Sequence, residues 1–399
     1  MKLFLLICFF TMGNGLFSQQ ISFVDSLYHP DTNSISAVVA KQVIAGNDTV
    51  ADGKAVYYYL NGNIRQEGLY RMGKRDSIWR GYTYFGRKKW LTTYENELKN
   101  GFFKTFYEND TIKLSGRYLN DSLVDTVRLY YRNGVLQEKR VYAANQLNGL
   151  TKGYYPNGNL SYVFNYTDSI QDGLYERYYA SGKIRERGLM RETYFYGPYK
   201  SYYENGQINS QYAYNGFKIH GPYLVFYPDG SKQITCNYVN GQIDGTFLKY
   251  HKNGQKAEEG EYRNGGLHGT WNYYHENGNI YMTGNYVDSK TQGKWEVYYE
   301  NGTLKQTGKY KDGKSEGAWK FFYEDGQLQS QGILKEDLLD GHWIQYYPSG
   351  QVQFDLYYRN GKLEGILTAF DEQGGIIEQS EYMDNQLIRQ IKGKNIENK

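Results

Sequence analysis

One aromatic position recurs every 24 residues along this chain. It runs from Tyr58 through Tyr82, Phe106 and Tyr130 to Phe322, Tyr346 and Phe370, and it is aromatic at all fourteen steps. Twelve residues later a second column holds tyrosine, from Tyr70 through Tyr94 and Tyr118 onward, broken only at Met190 and Leu334. A third column is mainly aliphatic (Ile64, Ile112, Leu136, Leu160, Ile184), and a fourth carries Trp79, Phe103, Tyr175, Phe247, Trp271, Trp295, Trp319 and Trp343. Glycine keeps the same period from Gly62, Gly86 and Gly134 to Gly374, with Asp110 taking one place. It also opens the copies at Gly53, Gly101 and Gly149 through to Gly365, with Ser77 and Asp125 as exceptions. A fixed interval in the range of roughly 20 to 50 residues signals stacked repeats, each touching only its neighbours.

The unit reads as strand, tight turn, strand, loose turn. Asn-Gly pairs such as Asn133-Gly134 and Asn157-Gly158 are strong hairpin signals. Proline just before that pair at Pro156, Pro228 and Pro348 selects the turn type. In a two-residue hairpin it would have to donate a ladder bond, which proline cannot do. In a type I turn followed by a glycine bulge its fixed φ fits the second position, and the Gly62 column takes the left-handed bulge. Tyr58 then lies opposite Ile64, and simple parity adds Tyr70 to the same packed face. The Tyr59 column tolerates Thr83, His251, His275 and Asp371, so it is expected to point outward. The tryptophan column has the wrong parity for the Tyr58 face. Either a bulge intervenes or the second face is aromatic too.

These patterns predict an all-β fold, an elongated single-chain solenoid or ribbon of about fourteen 24-residue β-hairpin repeats in an antiparallel meander. Two strands per repeat at about 4.8 Å each would extend roughly 130 Å. The expected division is 1–18 signal peptide, 19–50 N-terminal cap or irregular segment, 51–386 repeat array and 387–399 polar C-terminal tail. Lys2, the apolar run Leu3 to Phe10 and the small, polar exit to Ser18 support an exported protein, and the run is too short to span a bilayer. Cys8 would leave with the leader, so the mature chain keeps only Cys236 and the repeats must hold together by packing. The 399 residues include 45 tyrosines and 46 glycines, which suit strands and turns. A net charge of +3 gives no support for nucleic-acid binding.

The pattern Gly-x-Trp-x-x-Tyr-Tyr-x-Asn-Gly-x-Leu at Gly293 to Leu304, repeated with small changes at Gly317 to Leu328, resembles the MORN-variant repeat. The resemblance covers roughly residues 51 to 386. It implies a scaffold or binding module. Related arrays are linked to membrane lipids, dimerisation and protein partners, and many bacterial members carry the label of antitoxins in toxin–antitoxin systems.

No catalytic, cofactor-binding or metal-binding residue is expected. His251 and His275 share a column in successive copies, so they stand roughly 9.6 Å apart, too far to share a zinc ion. His-Glu-x-x-His is absent from the sequence, and the repeat period accounts for the abundant glycines. Two rows remain as binding candidates. Tyr107, Tyr131, Tyr155, Tyr179, Tyr203, Tyr227, Tyr299, Tyr323 and Tyr347 offer contact area at low entropic cost for a partner, against a purely structural role in cross-strand pairs. Arg80, Lys104, Arg128, Lys152 and Lys200 form a basic row for an anionic lipid or glycan, interrupted by Glu176. The leading expectation is therefore an exported non-enzymatic repeat scaffold binding a protein or cell-envelope component, with self-association as a further outcome. The alternatives are an antitoxin-like protein that neutralises a partner toxin and an envelope lipid-binding module.

Overall fold

The structure is a computed structural model and describes residues 22–28, 34–43 and 49–393. The expected signal peptide, 1–18, lies outside the described residues. The chain divides into two compact units, Met1–Phe195 and Tyr196–Lys399. Within each unit the strands follow one another as an antiparallel meander of hairpins, pairing only with near neighbours in sequence. In each unit the sheet is open, and among the described residues no helix interrupts it. The 19–50 segment, expected as a cap or irregular stretch, contributes the strands Ser22–Tyr28 and Ile35–Val43, paired to each other and then to Thr49–Tyr58. The expected boundary at 387 falls inside the strand Gln386–Gly393, which pairs with Ile376–Met383, so the polar C-terminal stretch starts as sheet.

The bulged hairpin loop is as the prolines require. Gly62 N–H donates to Tyr59 O at 2.9 Å, Tyr59 N–H donates to Asn63 O at 2.8 Å, and Gly62 sits at φ +84°. Tyr58 lies opposite Ile64. Asp110, the one non-glycine in this series, is held at φ +63°, a conformation aspartate tolerates better than most side chains.

The turn read as loose is tight. Its two central residues both take positive φ, as at Asn96 (51°) and Glu97 (73°), which is the type I′ pattern. The second of them also donates its N–H to the preceding module, as in Glu97 to Arg75 O at 2.9 Å and Asn145 to Leu123 O at 3.0 Å. Many copies place Asn, Asp, Ser or Glu there instead of glycine, which disguises the turn as a polar loop.

The assignment of faces needs one larger correction. The ladder runs Tyr58↔Ile64 and then Tyr57↔Gln66, so Arg65 is an extra residue in its strand. That bulge inverts the parity of everything after it. Tyr70 therefore lies on the face opposite Tyr58 and Ile64, where it meets Trp79 edge to face with ring centroids 5.0 Å apart. No bulge separates Trp79 from Tyr82, since Trp79, Arg80 and Gly81 pair in sequence with Thr92, Leu91 and Trp90. Of the two options the sequence leaves open, the second is correct: both faces are aromatic.

The tryptophan face holds the core of each unit. In the first, Ala37, Val39, Ala55, Trp79 and Tyr94 cluster. In the second, Phe247 and Trp271 form one cluster with Cys236, and Trp319, Trp343 and Leu356 form another. A single sheet buries an indole by laying it flat across a neighbouring glycine. A Cβ on Gly68 would stand 2.2 Å from Trp79, and one on Gly260 2.2 Å from Trp271. All six tryptophans lie over a glycine in this way. In Trp79, Trp271, Trp295 and Trp343 the indole N–H also donates to a backbone carbonyl ten residues earlier, as from Trp79 to Leu69 O at 3.0 Å and from Trp343 to Ile333 O at 2.9 Å.

Candidate binding surface

The tyrosine column offered for recognition is half-buried at the hairpin turns, and its hydroxyls are already engaged. Tyr107, Tyr131 and Tyr155 donate to the carbonyls of Tyr130, Tyr154 and Tyr178, each 23 residues on, at 2.7–2.8 Å. Tyr203, Tyr227, Tyr299, Tyr323 and Tyr347 repeat the bond to Phe226, Tyr250, Phe322, Tyr346 and Phe370. Tyr179 occupies the same place in its own turn, donating its backbone N–H to Lys183 O. His251 and His275 substitute for the phenol, placing Nε2 2.9 Å from Tyr274 O and 3.2 Å from Tyr298 O. Asparagine reinforces the same edge: Asn61 Nδ2 donates to Tyr84 O at 2.9 Å and Asn157 Nδ2 to Ala180 O at 2.8 Å. The column joins each module to the next, and its phenols are not available as free donors for a partner.

Burial also withdraws the groups that carry nucleophilic or acid–base chemistry. Cys236 is buried among Tyr223, Phe247 and Trp271, and burial pushes its thiol up to about 11. On the opposite face, Glu176 is buried and accepts from Arg187 at 2.8 Å and from the Tyr178 hydroxyl at 2.6 Å. Burial, and then that hydrogen bond, push the Tyr178 phenol up to about 12. His342 forms an exposed 2.6 Å pair with Asp355. Among the described residues no cluster of three or more His, Cys, Asp or Glu has the spacing to hold a metal ion.

The basic residues stand on the face opposite the tryptophans. In the first unit Arg80 pairs across the ladder with Leu91, Leu91 with Lys104, Lys104 with Ser115, and Ser115 with Arg128. Arg128 then faces Lys139, and Lys139 faces Lys152. Lys139 belongs to the other strand of the hairpin and so falls outside the 24-residue column. Lys200 falls in the second unit, where its ladder neighbour is Gln211, followed by Leu224.

A family model described as MORN repeat variant matches this chain ten times, over residues 51–72, 147–168, 171–191, 195–215, 219–240, 243–264, 267–288, 291–312, 315–336 and 339–360. The chain belongs to this family. The MORN-variant hairpin continues in the structure through residues 73–146, which the family model does not match, with the same turns and pairings. No curated protein matches the chain. Among solved structures it is similar to the TcdB2-TccC3 crystal structure, 11% identical over 92% of this chain and 28% of that one, with a TM-score of 0.14. It is also similar to the Photorhabdus luminescens Tc holotoxin pore, 11% identical over 92% and 27%, with a TM-score of 0.13. The MORN-variant chain thus spans little more than a quarter of those chains, and scores this low carry no argument.

Proposed function

We propose that this MORN-variant chain is an exported, non-enzymatic repeat scaffold that binds a protein or cell-envelope component on the tyrosine-rich face opposite its tryptophans. One observation carries the reading: the core side chains occupy one face of the sheet, and the other repeats charged and apolar positions at fixed spacing. An extended partner can engage such a surface at several points, and each added contact multiplies affinity without a deep pocket. The leader-like residues 1–18 favour export. The groups with chemical potential, Cys236, Glu176 and the turn histidines, are used in packing and hydrogen bonds, which favours binding over catalysis.

Two measurements test this reading. Fractionation of native cells is expected to find the protein outside the cytoplasm with its leader removed; an uncleaved cytoplasmic protein overturns export and favours the antitoxin reading. A photo-crosslinking residue is then placed at Lys320, on the proposed face, or at Gln306, beside Phe321 on the tryptophan face. Adducts are expected from position 320. Adducts from position 306 alone overturn the choice of face.

A further inference from the structure

The basic row of the first unit is denser than the repeat demands. Five cations, Arg80, Lys104, Arg128, Lys139 and Lys152, lie on one cross-strand line with only Leu91 and Ser115 between them. Like charges directly opposite one another destabilise a sheet, yet Arg128, Lys139 and Lys152 occupy three neighbouring strands. Among the described residues none of the five has an acidic partner at salt-bridge distance. The acids that bound the row are themselves occupied. Glu67 pairs with Lys54 at 3.6 Å and accepts from the Tyr82 hydroxyl, and Glu176 is held by Arg187 and Tyr178. The corresponding line in the second unit reads Leu248, Glu259, Asn272, Thr283, Glu296 and carries no such run. The cluster is therefore a property of these particular modules.

A second row runs beside it. Two positions back on the strands of Arg80, Lys104 and Lys152, and on the same face, stand Ile78, Phe102 and Leu150. They are 39%, 68% and 40% exposed. Two residues along a strand separate the rows by roughly 7 Å. Six strand steps separate Arg80 from Lys152, roughly 29 Å, so the cations average one per roughly 7 Å. Alternate side chains of an extended polypeptide recur at nearly that interval, on opposite sides of the chain.

We propose that this double row docks an extended acidic segment of a partner protein, laid across the strands between the two rows, with acidic side chains toward Arg80–Lys152 and apolar ones toward Ile78, Phe102 and Leu150. The proposal rests on the binding-scaffold reading and names its partner's chemistry. The exposed Phe102 supplies an aromatic anchor of the kind that dominates protein interfaces, and the cations supply orientation and encounter rate.

The test uses the full chain and a fluorophore-labelled ten-residue peptide alternating Glu and Leu, followed by fluorescence anisotropy. Binding is expected to weaken as salt is raised. It is expected to fall at least tenfold in Lys139→Glu, and again in Phe102→Ser. Lys139→Glu places an acid between Arg128 and Lys152, so its melting temperature is expected to hold or rise, which separates lost docking from lost folding. Failure of the peptide to bind, or equal binding by Lys139→Glu, overturns the proposal. A Phe102→Ser variant that binds as the parent does, while heparin, a DNA oligonucleotide or phosphatidylglycerol vesicles compete equally well, shows a general polyanion track and also overturns it. Crosslinking from position 320 is unaffected by any of these outcomes, so the binding-scaffold reading stands or falls separately.

Discussion

Replacing Gly260 with alanine tests how a single sheet manages to bury tryptophan. The added Cβ would sit 2.2 Å from Cδ2 and 2.3 Å from Cε2 of Trp271, a side chain only 1% exposed. The ring cannot yield freely, because its N–H donates to Glu261 O at 3.1 Å and Tyr262 and Tyr286 contact it edge to face. Overpacking costs about 1–3 kcal/mol. Displacing the indole also orphans a carbonyl, for about 1–3 kcal/mol more. The expected loss is therefore about 2–6 kcal/mol. Backbone strain adds nothing, since Gly260 does not adopt a positive φ. Trp271→Ala should itself cost about 3–5 kcal/mol, but in that background the Gly260→Ala methyl enters vacated space and should cost almost nothing. The two changes should thus couple by nearly the whole cost of Gly260→Ala, about 2–6 kcal/mol. A repeat array need not unfold all at once, so the assay is native-state hydrogen exchange read on the strands Lys256–Arg263 and Gly266–Tyr274. Equal cost in both backgrounds, or a loss below about 0.5 kcal/mol in the parent, would refute the flat-indole account.

Other consequences are open to direct measurement. Tyr299→Phe removes the 2.9 Å bond to Phe322 O and should cost about 0.5–1.5 kcal/mol, seen as faster exchange around residues 299–303; unchanged exchange would mean the phenol does not join the modules. Cys236 and Tyr178 have raised pKa values, so the fold favours their protonated forms. Their contribution is complete below the ordinary values of 9.0 and 10.0 and fades as pH rises toward about 11 and about 12. Melting temperature should therefore be flat from neutrality to about pH 8.5 and fall between about pH 9 and 12; a fall already complete at pH 9 would contradict this. Deleting residues 289–312 joins Asp288 to Gly313 and restores a two-residue turn, so the far-UV circular dichroism and a sharp thermal transition should survive. Deleting 289–300 joins the turn to a hairpin tip and should abolish the transition, and equal tolerance of both deletions would count against the 24-residue unit.

Much of the fold was legible because the period repeats the same chemistry many times. The bulged loop followed from Pro156, Pro228 and Pro348, where only one turn type accommodates a residue without an N–H. What parity could not supply was the extra residue at Arg65, because a bulge leaves no mark on the spacing of columns and is visible only in the pairing across the strand. The sequence does contain a usable clue. Trp79, Trp271, Trp295, Trp319 and Trp343 each follow a glycine by eleven residues, at Gly68, Gly260, Gly284, Gly308 and Gly332. Counting bulky residues alone overlooks that absence of bulk. For the binding surface, four of the five cations of the docking row were legible as a column. Lys139 was hidden because cross-strand neighbours lie close in space at a separation of 11 or 13 residues, away from the period itself.

The phenol bonds all point one way, from a residue to the carbonyl 23 positions later, and this gives the fold a direction. The last such bond runs from Tyr347 to Phe370. At the next step Asp371 takes the tyrosine's place and turns inward on its own loop, accepting from Gly375 N–H at 2.6 Å and Gln373 N–H at 3.1 Å. An aspartate makes its bonds within its own turn and has no phenol proton to give to a carbonyl 23 residues later. Among the described residues the substitution works as punctuation, ending the phenol series at Tyr347. The final hairpin keeps its ladder, its I′ turn and the Lys362–Asp384 pair but has lost the phenol bond, so thermal fraying of the second unit should begin beyond residue 371.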